Sequence, residues 1–172
     1  FGEIVGRNAN RIGSATCTID GITYALVIND NGVNNLHSGP DFLRNRIWDA
    51  EVSETENGTK ITFSLFSPDG DQNYPGNADI RVSYTLTNAD ELRIDYHMTC
   101  DEDTIANFTN HAYFNLAGQA TGSAMHQKVW IDADQFTIAD QYSIPTGELV
   151  PVKGTPMDFT TLKYIDQDIE AD

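Results

Sequence analysis

The chain has 172 residues, 40% of them hydrophobic, which suffices for one core of ordinary size and predicts a single domain over residues 1–172. Its 26 acidic and 10 basic residues give a formal net charge of −16, which excludes a phosphate backbone or an anionic lipid surface as an expected partner. No segment approaches the roughly 20 apolar residues of a membrane span. We expect a cytoplasmic protein, with a periplasmic or secreted one left open because the chain begins without Met.

Alternation of apolar and polar residues predicts antiparallel strands along most of the chain. In chain order, "CTIDGITYAL" (17–26) and the segment around Asn57-Gly58 predict hairpins, because Asp-Gly and Asn-Gly tolerate the positive φ of tight turns. Residues 79–100 predict a third hairpin that turns at 88–91. "KVWIDA" (128–133) and "QFTI" (135–138) predict short strands, and "IPTGEL" (144–149) predicts a Pro/Gly turn. With little helix expected, the fold class is all-β, an antiparallel β-sandwich.

Four histidines are the first candidates for chemistry. His97 lies on a strand opposite the apolar face of its hairpin, and His126 lies in a polar loop, so both are interpreted as surface residues. His37 precedes a Ser-Gly turn, and His111 is flanked by Asn110 and aromatic residues. These two are better candidates, because a turn presents an imidazole while neighbouring amides fix its tautomer.

Neither a metal nor a cofactor is expected. The chain lacks the HxH, HExxH and CxxC patterns of metal sites, and Cys17 and Cys100 are interpreted as buried free thiols. "DGDQNYPGNADI" (69–80) fails as a calcium loop, since Tyr74 stands where glycine is needed and Ile80 where glutamate is needed. "GRNANRIG" lacks the glycines of a phosphate loop. Its Arg7 and Arg11 either bind a ligand or pair with surface carboxylates, and both alternatives stay open.

Five segments resemble, in order and spacing, the signature segments of the aldose 1-epimerase family. They are "GRNANRI" (6–12), "NNLHSG" (34–39), "SPDGDQNYPG" (67–76), "TNHAYFNLAGQ" (109–119) and "IPTGELVPVKGTPMDF" (144–159). The resemblance implies a large antiparallel β-sandwich and an isomerase that needs no cofactor. It also implies a monosaccharide substrate, a free aldohexose such as galactose or glucose, whose α and β anomers are interconverted.

The same resemblance implies roles for four residues. Asn10 and Arg11 match positions that bind sugar hydroxyls, and His37 matches a second imidazole near the ring oxygen. His111 matches the general acid that protonates the ring oxygen O5 while a carboxylate removes the proton from O1. Histidine suits this step because its pKa lies near the working pH.

Two features of the family have no counterpart in residues 1–172. The strands that normally precede "GRNANRI" are missing, and so is the glutamate that serves as general base near the C-terminus. The resemblance therefore implies an internal piece, an incomplete sandwich whose base lies beyond residue 172. We expect residues 1–172 alone to be inactive and to associate with another copy through unpaired sheet edges.

Other functions stay open beside the epimerase. The main alternative is a non-catalytic carbohydrate-binding β-sandwich that keeps Asn10, Arg11 and His37 but lacks the base. A phosphosugar epimerase would need a cationic patch to bind the phosphate group. The net charge of −16 makes this alternative less favoured. A glycosidase that uses Asp69 and Asp71 is disfavoured, because neighbours on one turn do not easily flank a sugar.

Overall fold

The computed structural model describes residues 2–171, in which antiparallel strands dominate and helix is limited to five short 3₁₀ turns, η1 to η5. The strands are β1 (Ile4–Val5), β2 (Arg11–Ile12), β3 (Thr16–Ile19), β4 (Ile22–Ala25), β5 (Asn35–Leu36), β6 (Asp49–Thr55), β7 (Gly58–Ser67), β8 (Ala78–Thr87), β9 (Leu92–Cys100), β10 (Thr109–Asn110), β11 (Lys128–Val129), β12 (Gln135–Ala139), β13 (Pro145–Pro151) and β14 (Lys163–Tyr164). The 3₁₀ turns are η1 (Gly13–Ala15), η2 (Leu43–Asn45), η3 (Asp71–Asn73), η4 (Ala124–His126) and η5 (Ile165–Asp168). This content confirms the all-β class.

The largest sheet has four strands in the order β6-β7-β8-β9. Its alternation places apolar residues on one face, where Phe63, Val82 and Tyr96 are aligned across β7, β8 and β9. Strands β8 and β9 are the hairpin that the alternation predicts for residues 79–100, with Leu86 paired to Leu92 beside the turn. The prediction of that hairpin is confirmed.

The two hairpins predicted from Asp-Gly and Asn-Gly are also present. Asp20 and Gly21 have φ of 50° and 78° between β3 and β4, as a tight turn of this kind requires. Between β6 and β7 the turn lies one position earlier than predicted, because Thr55 pairs with Gly58. Gly58 is thus the first residue of β7, with φ of 141°.

The predicted turn at "IPTGEL" is wrong, because residues 145–151 form β13, paired with β12. The chain reverses just before it, where the carboxylate of Asp140 accepts hydrogen bonds from the amides of Tyr142 and Ile144. Pro145 begins the strand, a position where its missing N–H is tolerated. The strand predicted at "KVWIDA" is shorter than expected, since β11 covers only its first two residues and pairs with β14.

The chain divides into two compact units, residues 2–111 and residues 112–171. The first unit contains two clusters of buried side chains, one around Ala15, Leu26 and Tyr74 and the other around Leu43 and Ala78. The expectation of one domain over residues 1–172 stays a prediction.

Cys17 and Cys100 are free thiols, as predicted, although each is only half-buried. None of the helical turns in residues 2–171 is long and apolar enough to cross a membrane.

Gly58→Ala is expected to lower the free energy of unfolding by about 1–3 kcal/mol, because an added Cβ would meet the backbone carbonyl oxygen of Leu86. Gly147 provides a matched control. It also has a positive φ, of 89°, but open space surrounds the position of an added Cβ. Urea unfolding is measured for Gly58→Ala and Gly147→Ala. Gly147→Ala reports only the cost of alanine at positive φ, so any additional loss in Gly58→Ala comes from the contact with Leu86. Equal losses would contradict the role assigned to the Leu86 contact.

Candidate active site

Short strand pairs bring the candidate residues of the first unit towards one another. Strand β2 pairs with β5, so that Asn10, just before β2, lies beside His37, just after β5. Strand β1 pairs with β10, and His111 follows β10 with its amide donating to the carbonyl of Glu3 at 3.0 Å. The segments "ANRI", "NLH" and "TNH" therefore converge through backbone pairing of distant parts of the chain.

Asn10 and His37 hold each other through two hydrogen bonds. The His37 amide donates to the Asn10 carbonyl at 2.9 Å, and the Asn10 amide donates to Nδ1 of His37 at 3.0 Å. Both residues have positive φ, 61° and 58°, a conformation that is uncommon outside glycine and that asparagine and histidine adopt more often than most other residues. Because Nδ1 accepts this bond, the neutral imidazole carries its proton on Nε2.

The imidazoles of His37 and His111 form an edge-to-face pair. Their ring centroids are 5.3 Å apart, and the ring planes meet at 89°. Burial lowers the pKa of His37, and the neighbouring His111, Arg11 and Arg44 lower it further, while Glu3 acts in the opposite direction. Two imidazoles at this separation are close enough to contact one monosaccharide.

Arg11 lies beside this pair in a fixed orientation. Its Nε donates to Asp30 at 2.9 Å, and its Nη1 donates to the side-chain oxygen of Asn10 at 3.3 Å. The hydrogen bond from Arg11 lowers the pKa of Asp30. Arg11 therefore does pair with a carboxylate, and this pairing also orients its guanidinium towards the side chain of Asn10.

Arg7 lies elsewhere, fully buried, and does not pair with a surface carboxylate. Its guanidinium donates to the backbone carbonyls of Ser67, Pro75 and Gly76 at 2.9, 2.7 and 3.0 Å. Burial lowers its pKa. Of the two arginines in "GRNANRI", only Arg11 is thus placed to meet a ligand beside the imidazoles.

Known proteins resemble this chain along its length. A family model described as aldose 1-epimerase matches residues 1–172. The chain belongs to the aldose 1-epimerase family. A galactose mutarotase from Sus scrofa is 46% identical over 92% of this chain, and an aldose 1-epimerase from Escherichia coli is 39% identical over all of it.

The chain spans about half the length of these relatives, 44% and 48% respectively. Two solved structures are also similar. A GalM/aldose epimerase homologue from C. elegans has a TM-score of 0.82 at 34% identity, covering 95% of this chain and 49% of its own. A galactose 1-epimerase from Lactobacillus acidophilus has a TM-score of 0.83 at 29% identity, covering 94% and 47%. The likeness to both supports the antiparallel β-sandwich that the resemblance to the aldose 1-epimerase family predicts.

The remaining two histidines are exposed, as their sequence contexts predict. His97 is exposed on β9, aligned with Arg81 across the sheet. In the second unit, His126 stacks on Tyr164 with ring centroids 4.3 Å apart and lies 3.3 Å from Asp166.

Residues 2–171 contain no cluster of side chains with which a metal could be bound.

Sequence reasoning missed several polar residues around the imidazoles. Glu3 forms an ion pair with Arg44 at 3.0 Å, and its charge partly offsets the lowering of the His37 pKa. The side-chain amide of Asn110, the residue before His111, donates to the hydroxyl of Tyr84 at 3.0 Å. Glu3 and Arg44 lie outside the five family segments, so no motif pointed to them.

The stability of the protein is expected to fall as the pH drops below about 6.5, the ordinary pKa of histidine. His37 has a lowered pKa in the folded state, so the unfolded chain takes up a proton there that the folded chain refuses until the pH passes below the folded-state value. His37→Gln should therefore flatten this dependence. Urea unfolding at about pH 7.5 and about pH 5.5 measures how the free energy of unfolding depends on pH. The same difference between the two pH values in His37→Gln as in the native protein would contradict the expectation.

Proposed function

We propose that the protein is an aldose 1-epimerase that interconverts the α and β anomers of a free aldohexose such as galactose or glucose. The observation that carries the proposal is the imidazole pair of His37 and His111, 5.3 Å apart, beside Asn10 and Arg11. Membership of the aldose 1-epimerase family supports it, as do relatives named galactose mutarotase.

In the proposed reaction His111 donates a proton to the ring oxygen O5 as the C1–O5 bond breaks. The proton on O1 passes to a carboxylate base, and its electron pair forms the aldehyde double bond at C1. Rotation about C1–C2 presents the other face of the aldehyde, and O5 adds back to C1. His111 then recovers its proton from O5 and the base returns one to O1, so the cycle needs no cofactor.

His37 is proposed to assist at the ring oxygen. Its Nδ1 accepts from the Asn10 amide, so Nε2–H is the donor that remains for the sugar. Burial lowers the pKa of His37, which favours the neutral imidazole with Nε2–H as donor. Glu3 is held by Arg44, and we assign it no role as the base.

Asn10 and Arg11 are proposed to bind sugar hydroxyls. The guanidinium of Arg11, already oriented by Asp30, offers planar paired donors that a lysine ammonium does not reproduce.

Arg11→Lys is accordingly expected to raise KM by roughly 10- to 100-fold, because a hydrogen bond to a charged group contributes about 1.5–3 kcal/mol, while kcat changes less. Polarimetry over a range of α-galactose concentrations measures both constants. Arg93→Lys, at an exposed position of β9, is the matched control and should leave KM unchanged. An unchanged KM for the Arg11 variant would remove this residue from the sugar site.

The experiment that tests the proposed function is mutarotation of freshly dissolved α-galactose by the full-length protein, measured by polarimetry, together with calorimetric titration of galactose, since residues 1–172 alone are expected to be inactive. Binding with acceleration above the buffer rate supports the epimerase. Binding without acceleration would favour a non-catalytic carbohydrate-binding protein, and the absence of both would contradict the proposal.

A further inference from the structure

The turn that carries His37 has an unusual backbone. His37, Ser38 and Gly39 have φ of 58°, 68° and 90°, three consecutive residues in the left-handed region. For the two that have a Cβ this conformation is costly, and it persists only where surrounding contacts impose it. The contacts that impose it therefore decide where the imidazole of His37 lies.

Ser38 is the buried centre of this turn. Its hydroxyl accepts from the amide of Asn8 at 3.0 Å and donates to the carbonyl of the same residue at 3.1 Å. The hydroxyl of Tyr74 lies 3.2 Å away. Since the only proton of the Ser38 hydroxyl is directed at Asn8, Tyr74 is the donor in this third contact.

Gly39 is held by the same distant segment. Its amide donates to the side-chain oxygen of Gln72 in a short hydrogen bond that is buried. Gln72 and Tyr74 are both buried, with exposed fractions of 6% and 0%. Two side chains of "DGDQNYPG" (69–76) thus contact the two residues that follow His37.

This segment is itself firmly anchored. Asp71 forms an ion pair with Arg46 at 2.6 Å and accepts a short hydrogen bond from Ser67, and the Gly70 amide donates to the carbonyl of Tyr74 at 3.0 Å. The segment therefore supplies fixed donor and acceptor atoms to the His37 turn.

We propose that Gln72 and Tyr74 are positioning residues for His37, which hold its turn in the left-handed conformation so that the imidazole stays beside His111. Neither is proposed to touch the sugar. The inference rests on the proposed function for its effect on catalysis, but its structural part concerns His37 alone.

The test uses two separate variants, Gln72→Met and Tyr74→Phe. Each is made once with His37 present and once together with His37→Asn. With His37 present, each change is expected to lower kcat by about 10- to 100-fold, the range in which small displacements of a reacting group affect rates, with little change in KM. With His37 replaced, the same changes should lower kcat less than about twofold, because two residues that act through one group are not additive. Tyr24→Phe, on β4, is the control and should have no effect in either background.

A second readout separates this proposal from the proposed function. NMR titration of the His37 imidazole is expected to show a lowered pKa in the native protein and a shift back towards 6.5, the ordinary value, in both variants, as the turn relaxes and exposes the ring. If the full-length protein is inactive, the epimerase proposal fails while this titration still tests the positioning role. Equal losses of kcat in both backgrounds, or an unmoved His37 titration, would overturn the inference. Tyr74→Phe removes a single oxygen, so it provides the answer if Gln72→Met does not fold.

Discussion

In the full-length protein, His111→Asn is expected to lower kcat for galactose mutarotation by roughly 10²–10⁴-fold, as the loss of a positioned general acid does. Asparagine keeps a planar polar group of similar shape, but it has no proton to deliver to O5 at working pH. The KM should change less, because the variant retains the contacts assigned to Asn10 and Arg11.

Polarimetry with α-galactose measures the two constants, and His97→Asn is the matched control on an exposed strand position. That control should retain native kcat and KM. A His111 variant with normal kcat and weakened affinity would make His111 a sugar ligand, and His37 would then become the candidate acid.

Arg7→Met is expected to cause the largest loss of stability, a decrease of about 2–5 kcal/mol in the free energy of unfolding, because each buried acceptor left without a donor costs about 1–3 kcal/mol. Methionine fills similar space but leaves buried carbonyls of Ser67, Pro75 and Gly76 without the donors that Arg7 provides. Urea unfolding measures the change. A lower urea concentration at the midpoint, with an unchanged dependence of the unfolding free energy on urea concentration, would show that the variant changes stability alone.

Arg93→Met serves as the control for this second prediction. Arg93 is exposed and pairs with Asp95 at the surface, so its replacement should change stability by less than about 0.5 kcal/mol. Similar values for the two variants would contradict the structural importance assigned to the buried guanidinium of Arg7.

Local pattern predicted the strands well where one face is buried. The alternation from Ile80 to Met98 predicts the central hairpin, because a period of two places every second side chain on the apolar face. The Asp20-Gly21 turn was equally predictable, since positive φ is required there. The turn predicted at "IPTGEL" is wrong because Pro and Gly, which are typical of turns, also occur in strands. Pro145 is the first residue of a strand in a two-stranded sheet, where its missing N–H is tolerated.

Sequence context singles out His37 and His111 as candidates, but only the resemblance joins them with Asn10 and Arg11 in one candidate site. Nothing in spacing places His37 near His111, because their proximity depends on the pairing of β1 with β10 and on the turn after β5. Gln72 lies in one of the five family segments, but no role for it follows from the sequence, because its hydrogen bond with Gly39 joins residues 33 positions apart. The burial of Arg7 follows from tertiary contacts with residues about 60 positions away, which no local pattern shows.

The central claim is that His37 and His111 form one sugar site, and NMR titration of the protein with galactose tests it most directly. The imidazole signals of both residues should shift along saturation curves with a common Kd. The signal of His97, at an exposed position of β9, serves as the internal control and should stay in place. If only one of the two candidate signals shifts, or if the two follow different Kd values, the residues do not share a site and the account is wrong.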